Sequence, residues 1–402
     1  MRLLTGIGRL FTAGPAGVIE RAAIAIASDG RIAWLGPEAE APAVDEREDL
    51  GGALVTPGLV DAHTHPVYAG DRLAEIAARS EGASYADLAA AGGGIAATVR
   101  ATRAAPPGAL EAAVEARLRR WPLAGATTVE VKTGYYLERD GELAAVALLA
   151  ALAGQRGLPQ LSVTFLAAHA LPPDSGLSAD AYVDEAASWA PAAAAAGAHG
   201  CDVFCDAGYF TTDQARRVLT AGQAAGLTPR IHADELARTG GALLAADVGA
   251  ASADHLLCIG DDDVRALAAG GVAAVLCPVT ALSLGRLPPA RALLDAGVPV
   301  ALGSDHNPGT SGLDDMTVVV ALAIAALHLS VTEALVAATA AGARALRLDD
   351  RGVIEIGRRA DLVAWDTDHE GVFAWAWGIR PARVWIAGEE VLPTRVPFAR
   401  RD

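Results

Sequence analysis

The feature that most constrains the fold is the alternation of apolar runs with segments of helical pattern through the middle of the chain. Short apolar runs that alternate with helices are typical of the buried strands of a parallel sheet. Eight βα units are what a closed barrel of this kind requires, so the sequence predicts an α/β protein with a (β/α)8 TIM-type barrel. The eight runs cover residues 54–63, 127–133, 161–169, 202–205, 228–234, 252–257, 272–277 and 298–305.

Both ends of the chain have a different pattern, that of short strands joined by tight turns. Segments 22–28 and 31–35 flank Asp29-Gly30, which predicts a hairpin with a two-residue turn. Segments 361–365 and 383–387 are strand candidates near the other end. Neither end alone is long enough for a stable sheet. We therefore expect a small β-sandwich-like domain made of residues 1–55 plus 346–402, with the barrel, residues 56–345, inserted between them.

Charge and composition exclude several classes of partner. The formal net charge is −16, which argues against nucleic acid and anionic membranes. Apolar runs stay below the ~18 residues that a membrane span needs, and the N-terminal residues lack the pattern of a signal peptide. The four cysteines form no CxxC pair, which favours a reducing compartment. We expect a cytoplasmic protein.

Titratable residues recur at the ends of the predicted strands. In a barrel of this type these ends meet at one face, where active sites lie. A packed structural barrel would instead place Val, Ile and Leu there. The pattern therefore predicts a polar site at that face, formed by His63 with His65, Lys132, His169, His232 with Asp234 and Glu235, Asp254 with His255, and Asp305 with Asn307.

Four of these residues form a plausible metal-binding set. His63 and His65 are two apart, so on a strand their rings point to the same side. With His232 they offer three nitrogens, and Asp305 adds a carboxylate oxygen, leaving an open position for water. Taken alone, the pair at 63 and 65 would more often be ordinary surface or core histidines. We expect one divalent or trivalent ion, zinc or iron, and we expect Lys132 to form an ion pair with Glu130 or Asp61.

Nine short motifs stand in a fixed order between about residues 50 and 345: DAHTH at 61–65, GDR at 70–72, GGGI at 92–95, EVKTGY at 130–135, TFLAAHA at 164–170, DVFC at 202–205, IHADE at 231–235, SADHL at 252–256 and GSDHNPG at 303–309. Together they resemble the amidohydrolase superfamily and, within it, the imidazolonepropionase family. The HxH pair at 63–65 is shared across the superfamily, whereas the pieces at 70–72, 132–135, 231–235 and 307–309 are far more specific. The glycines at 92–94 lack a following Gly-Lys-Ser/Thr, so we interpret them as a cover over the site and not as a phosphate loop.

The resemblance implies a reaction and a role for each site residue. It implies hydrolysis of the cyclic amide of 4-imidazolone-5-propanoate to N-formimidoyl-L-glutamate in histidine degradation, by water activated on zinc or iron. The partner is then a small molecule with a carboxylate, and a homodimer is the common assembly. The implied metal ligands are His63, His65, His232 and Asp305. The implied catalytic residues are Asp305, Glu235 and His255, and the implied substrate contacts are Arg72, Tyr135, His169, Glu235, Asn307, Gly309 and Thr310.

Three departures from the family pattern leave alternatives open. Tyr136, His306 and segment 278–285 differ from what is usual in the family. One alternative is another amidohydrolase, either a cyclic-amide hydrolase or a deaminase, that acts on a different ring. A remote alternative is a metal-free barrel that serves as a binding or scaffold protein. That alternative predicts damaged metal ligands, and all four are present. His255 has four possible roles: a group behind the metal ligands, a catalytic acid, a polarising hydrogen-bond donor, or an ordinary core histidine.

Overall fold

The computed structural model describes residues 1–82, 92–106 and 108–391. Within them the strands form two separate sheets. The strands, in chain order, are β1 (Arg2–Phe11), β2 (Val18–Ile26), β3 (Ile32–Pro37), β4 (Glu46–Pro57), β5 (Leu59–Asp61), β6 (Ala126–Lys132), β7 (Gln160–Ala168), β8 (Gly200–Cys205), β9 (Thr228–Ala233), β10 (Ser252–His255), β11 (Ala273–Leu276), β12 (Val300–Leu302), β13 (Leu362–Trp365), β14 (Pro381–Ile386) and β15 (Glu389–Glu390).

The barrel is an eight-stranded parallel sheet in the order β5 to β12, so each strand pairs with its neighbours in sequence. Backbone hydrogen bonds join its two edges: Ala62 N donates to Leu302 O at 3.1 Å, and Asp305 N donates to His63 O at 2.9 Å. The predicted (β/α)8 barrel is confirmed. The second of these bonds joins His63, which follows β5, to Asp305, which follows β12.

Helices follow most barrel strands. Among the described residues, none of them combines the length and the apolar character that crossing a bilayer requires. They are α1 (Leu73–Ser80), α2 (Gly94–Arg103), α3 (Ala109–Leu118), α4 (Arg139–Leu152), α5 (Ala179–Ser188), α6 (Ala190–Ala196), α7 (Thr212–Ala224), α8 (Gly241–Asp247), α9 (Asp261–Gly270), α10 (Pro278–Ser283), α11 (Ala290–Asp295), α12 (Met316–Leu327), α13 (Val331–Ala337), α14 (Ala340–Ala345) and α15 (Val372–Trp375), with 3-10 turns at Glu38–Glu40 and Trp121–Ala124.

The second sheet is mixed and draws on both ends of the chain, in the order β15-β14-β13-β4-β1-β2-β3. Strand β13 runs antiparallel to β4, with Leu362 opposite Pro57. Side chains such as Leu4, Ile24 and Trp385 form its own apolar core. The predicted small domain from both termini is therefore confirmed as a fold feature, and its boundaries at residues 55/56 and 345/346 stay a prediction.

The structure corrects the first predicted strand. We expected one strand over residues 54–63, but β4 ends at Pro57 in the terminal sheet and β5 begins at Leu59 in the barrel. Gly58 lies at the switch, where its N–H donates to Asp361 O at 2.9 Å. A Cβ at this position would lie 2.1 Å from Thr127 Oγ1. An apolar run cannot show which of two sheets each half will join, since both halves are buried.

The turn of the first hairpin also differs from the prediction. Strands β2 and β3 pair antiparallel as expected. However, Ala27 N donates to Arg31 O at 2.8 Å, so three residues and not two form the loop. Gly30 takes the left-handed conformation, with φ of +78°, that such a loop requires of its last residue.

Candidate active site

Three imidazoles meet at the carboxyl end of the barrel. His63 and His65 follow β5, and His232 lies on β9. The His65 Nε2 atom is 3.1 Å from Nε2 of His63 and 3.3 Å from Nε2 of His232. Nitrogen ligands at ~2.0–2.1 Å from a tetrahedral metal lie about 3.3–3.4 Å apart. All three rings are buried, and their spacing fits a single ion.

Asp305 completes this cluster from the other edge of the barrel. Its Oδ1 lies 3.4 Å from His65 Nε2 and 3.6 Å from His63 Nε2. Burial raises the pKa of Asp305 to about 6, although the Thr280 hydroxyl, which donates to Oδ2 at 2.5 Å, acts in the opposite direction. A cation beside Oδ1 would favour the carboxylate form. The structure thus brings together the four residues expected to bind a metal.

Two aspartates fix the orientation of two of the histidines. Asp254 Oδ2 lies 2.6 Å from His63 Nδ1, and Asp202 Oδ2 lies 3.0 Å from His232 Nδ1. A carboxylate on one ring nitrogen holds the proton there and leaves the other nitrogen for a metal. Burial and then the charge of Lys132 hold the pKa of His63 well below its usual value, so this ring is neutral.

Sequence reasoning did not assign these two aspartates to the histidines. The available signal was the presence of Asp202 and Asp254 within apolar strands. A buried carboxylate requires a partner, and ligating histidines usually have one behind them.

Lys132 lies beneath the cluster and is fully buried. Its Nζ is 2.8 Å from Glu130 Oε1, 2.8 Å from Asp202 Oδ2 and 3.5 Å from Asp254 Oδ2. The expected ion pair with Glu130 is confirmed, and the alternative partner Asp61 is wrong. Lys132 therefore supports the aspartates that contact His63 and His232.

Asp61 instead joins the first and last strands of the barrel. Its Oδ1 accepts from Ser304 N at 2.9 Å, and its Oδ2 accepts from Ser304 Oγ at 2.6 Å and from Trp121 Nε1 at 2.8 Å. Ser304 directly precedes Asp305, and Asp61 is two residues before His63. These bonds therefore fix the separation of two of the expected ligands.

A cavity opens above the cluster. Its wall combines apolar side chains with the polar groups that sequence analysis predicted. Of the predicted substrate contacts, Gly309 alone is not among the residues lining this cavity. Its lining residues are His65, Arg72, Ile95, Tyr135, His169, Phe204, His232, Glu235, Leu236, His255, Leu284, Asp305, Asn307 and Thr310.

The guanidinium group of Arg72 faces this cavity while Glu75 fixes its orientation. Arg72 Nε donates to Glu75 Oε2 at 2.8 Å, and Glu75 Oε1 accepts from Gly94 N at 3.0 Å. Gly309 packs against the same group, because a Cβ there would lie 2.2 Å from Arg72 Nη1. Sequence reasoning missed Glu75. The contact with Gly94 places the glycine-rich segment beside the cavity, and its role as a cover stays a prediction.

Glu235 and His255 also line the cavity. Burial, and then the charge of Asp305, raises the pKa of Glu235 to about 8. Burial and then His232 keep the pKa of His255 well below its usual value. Near neutral pH the site therefore contains a protonated carboxyl and a neutral imidazole, with Glu235 Oε1 3.6 Å from His255 Nδ1.

His169 and Tyr135 line the cavity as well. His169 stacks on His65 with ring centroids 5.2 Å apart, and Tyr135 meets His169 edge-on at 5.1 Å. The His169 Nδ1 atom lies 3.0 Å from Gly134 O. Because burial lowers the pKa of His169 to about 3, the ring is neutral and donates through Nδ1 to that carbonyl.

The Asn307 amide shapes the loop after the last strand. Its Oδ1 accepts from Gly309 N at 2.7 Å and Thr310 N at 2.8 Å, while its Nδ2 donates to Asp305 O at 2.6 Å. The loop therefore keeps Thr310 at the cavity and Asp305 beside the three imidazoles.

The three departures from the family pattern lie at different depths. His306 is behind the cluster, with its Nε2 3.2 Å from the Tyr68 hydroxyl. The backbone N–H of Tyr136 donates to Glu142 Oε1 at 2.8 Å. Segment 278–285 comes closest to the chemistry, because Thr280 contacts Asp305 and Leu284 lines the cavity.

Comparisons with known proteins show the family and the fold of this chain. A family model described as "Amidohydrolase family" matches residues 67–391. Among solved structures, a zinc-bound adenosine deaminase from Xanthomonas campestris has a TM-score of 0.71 at 23% identity, covering 96% of this chain and 92% of that one. A triazine hydrolase variant has a TM-score of 0.75 at 19% identity, covering 96% of this chain and 94% of that one. The barrel, its polar face and the family match define the chain as an amidohydrolase.

Curated relatives narrow the class further. The imidazolonepropionase of Paracoccus denitrificans (strain Pd 1222) is 42% identical over 393 residues, covering 94% of this chain and 96% of the relative. That of Nocardia farcinica (strain IFM 10152) is 44% identical over 393 residues, covering 96% of this chain and 97% of the relative. The chain belongs to the imidazolonepropionase family. It is a hydrolase that acts on the C–N bond of a cyclic amide.

Proposed function

We propose that this protein hydrolyses 4-imidazolone-5-propanoate to N-formimidoyl-L-glutamate, a step of histidine degradation. The observation that carries the proposal is the meeting of His63, His65, His232 and Asp305 beneath a cavity that Arg72 also lines. This arrangement pairs a hydrolytic centre with a cation for the substrate carboxylate. The ring amide and the propanoate group of one small molecule match these two features.

The four residues at the floor would hold one ion, either zinc or iron. Their nitrogen–nitrogen spacings of 3.1 and 3.3 Å fit that purpose. When bound, such an ion supplies Lewis acidity and a water molecule whose pKa is lowered toward ~7. Lys132 is engaged by three carboxylates below the site, which favours one ion over a lysine-bridged pair.

We assign the proton transfers to two carboxyl groups. Asp305 accepts the proton released when water adds to the ring carbonyl carbon, and delivers it to the ring nitrogen as the C–N bond breaks. Glu235, whose pKa is raised to about 8, forms a hydrogen bond with the ring N–H or relays the proton. The neutral His255 donates to the oxygen of the tetrahedral intermediate.

We assign substrate orientation to the remaining cavity residues. A guanidinium group can bind a carboxylate through two parallel hydrogen bonds, and Arg72 is already oriented by Glu75. Tyr135 and His169 face the ring from the side. Asn307, Gly309 and Thr310 form the loop that closes the cavity beside Arg72.

The test is a ring-opening assay with metal content measured on the same sample. Purified protein receives 4-imidazolone-5-propanoate, guanine or cytosine, and both the ring-opened product and ammonia are quantified. We expect turnover of the first substrate alone, rising with zinc or iron content up to one ion per chain. Asp305→Asn that retains its metal should lose turnover. Release of ammonia from guanine or cytosine, with no ring opening by metal-loaded protein, would contradict the proposal.

We also propose that the protein is a cytoplasmic homodimer that acts without nucleic acid or membrane partners. The four cysteines are buried and free of disulfides, which supports a reducing compartment. Trp375 and Trp377 are 82% and 53% exposed, and large exposed aromatic side chains favour a protein–protein contact. Analytical ultracentrifugation of wild type and Trp375→Asp tests the dimer, since a monomeric wild type would rule it out.

A further inference from the structure

A buried thiol lies beside the active site and has no role in the proposed hydrolysis. Cys277 follows β11 and is only 1% exposed. His63, His255 and Cys277 each offer one ligand atom, and these three atoms all lie within 4.8 Å of one another. The cluster of His63, His65 and His232 meets the same limit. The described part of the chain therefore contains two overlapping sets of metal-ligating groups.

His255 gives independent evidence that the second set can hold a ligand. The ring is 2% exposed, and neither of its nitrogens has a hydrogen-bond partner among the described residues. The nearest carboxylate oxygen, on Glu235, is 3.6 Å away, beyond hydrogen-bond distance. A buried polar atom without a partner costs free energy, which a bound cation would recover.

The two sets share one atom. Asp254 already binds His63 Nδ1 at 2.6 Å, so only Nε2 of that ring is left for a metal. An ion held by Cys277 and His255 must therefore take the nitrogen that the three-imidazole cluster also needs. The two sites exclude each other.

The surroundings of the thiol favour a cation over a free thiolate. Burial raises the pKa of Cys277 well above its usual value, and Asp305, Asp254, Asp61 and Glu235 raise it further. Without a metal the sulfur therefore keeps its proton. A soft cation prefers thiolate ligands, and its binding breaks the S–H bond and releases the proton to solvent.

We propose that His63, His255 and Cys277 form a second metal site, selective for thiophilic cations such as Cd²⁺ and mutually exclusive with the hydrolytic ion. Occupation of this site inhibits the enzyme, because it removes His63 from the hydrolytic cluster and engages His255. The site goes beyond the proposed function. Its test does not depend on which ring the enzyme opens.

The experiment titrates metal-free protein with CdCl₂ and records the ultraviolet charge-transfer absorption of a cadmium–thiolate bond. Wild type should develop the band and saturate at one ion per chain. Cys277→Ala and Cys277→Ser should lose the band, with far-ultraviolet circular dichroism confirming the fold. Cys258→Ala is the matched control, since it removes another buried thiol, and it should keep the band.

A second arm separates the two overlapping sites. His65→Ala should keep the cadmium–thiolate band, whereas His255→Ala should weaken or abolish it, because His255 belongs to the sulfur-containing set and His65 does not. In the zinc-loaded enzyme, Cd²⁺ should inhibit wild type and Cys258→Ala more strongly than Cys277→Ala. A band of equal intensity in Cys277→Ala, or no band in wild type, would overturn the proposal whether or not ring opening is observed.

Discussion

Lys132→Met tests whether the positive charge of the buried lysine neutralises the carboxylates beneath the proposed metal site. The ammonium lies within 3.5 Å of carboxylate oxygens from Glu130, Asp202 and Asp254. Burial lowers the pKa of Lys132, but these carboxylates outweigh burial and the net shift is upward. Methionine fills similar volume without the charge. Removing one partner of a buried ion pair costs about 3–5 kcal/mol, so we expect a loss of that size in the unfolding free energy.

The cost should depend on pH in a defined direction. Without the lysine, whose charge lowers the pKa of Asp254, that pKa in the folded protein rises further above its unfolded value. A group with a raised folded pKa binds protons more tightly when folded, so the variant regains stability as pH falls. Burial already raises the pKa of Asp254 to about 6. As pH falls, protonation of Asp254 is therefore the first event that restores stability to the variant. The difference from wild type should therefore be larger at about pH 8 than at about pH 6.

Urea unfolding of metal-free protein, followed by tryptophan fluorescence, measures the effect at both pH values. Glu130→Gln supplies the partner for a double-mutant cycle, because Glu130 contacts the lysine but neither of the histidines held by aspartates. The double variant should lose less than the sum of the single variants. The reasoning is refuted if Lys132→Met stays within about 1 kcal/mol of wild type, or if the two losses simply add.

Three further predictions follow from the same geometry. Asp254→Asn should retain the fold but weaken zinc binding about 10–100-fold, as measured by competition with a chelator. An unchanged zinc affinity would show that Asp254 does not orient His63. Arg72→Ala should raise KM for the proposed substrate about 10–150-fold, from the loss of about 1.5–3 kcal/mol of charge-assisted hydrogen bonding, whereas Arg291→Ala on the surface should not. His306 has its pKa lowered from 6.5 to about 4, mainly by burial, so its contribution to stability is full above pH 6.5 and is lost as pH falls toward 4. His306→Phe should make the unfolding free energy of metal-free protein less dependent on pH across that window, by about 1.4 kcal/mol per pH unit, and an unchanged slope would contradict the assigned shift.

The order of strands and the face that carries the chemistry followed from local sequence. Each predicted barrel strand is an apolar run, and burial on both faces of a parallel sheet requires such runs. Polar residues at the strand ends must then meet, because the fold brings those ends together. The sequence alone was therefore enough to predict the convergence of His63, His65, His232 and Asp305.

The aspartates that contact those histidines could not be predicted from the sequence in the same way. Asp254 is distant in sequence from His63, and Asp202 from His232, yet each pair is in contact. Nothing in the apolar pattern states which buried carboxylate will lie behind which ring, since that depends on barrel stagger and rotamers. The assignment of residues 54–57 to the terminal sheet escaped prediction for a related reason, because either sheet would bury them equally well.

Sequence by itself determined the barrel, the composite terminal domain and the family, because local periodicity and motif order are properties of the chain. Tertiary structure alone decided the contacts of Lys132 with Asp202 and Asp254, and the position of Cys277 beside His63 and His255. These contacts join strands and loops far apart in sequence, and only three-dimensional packing sets the distances between them.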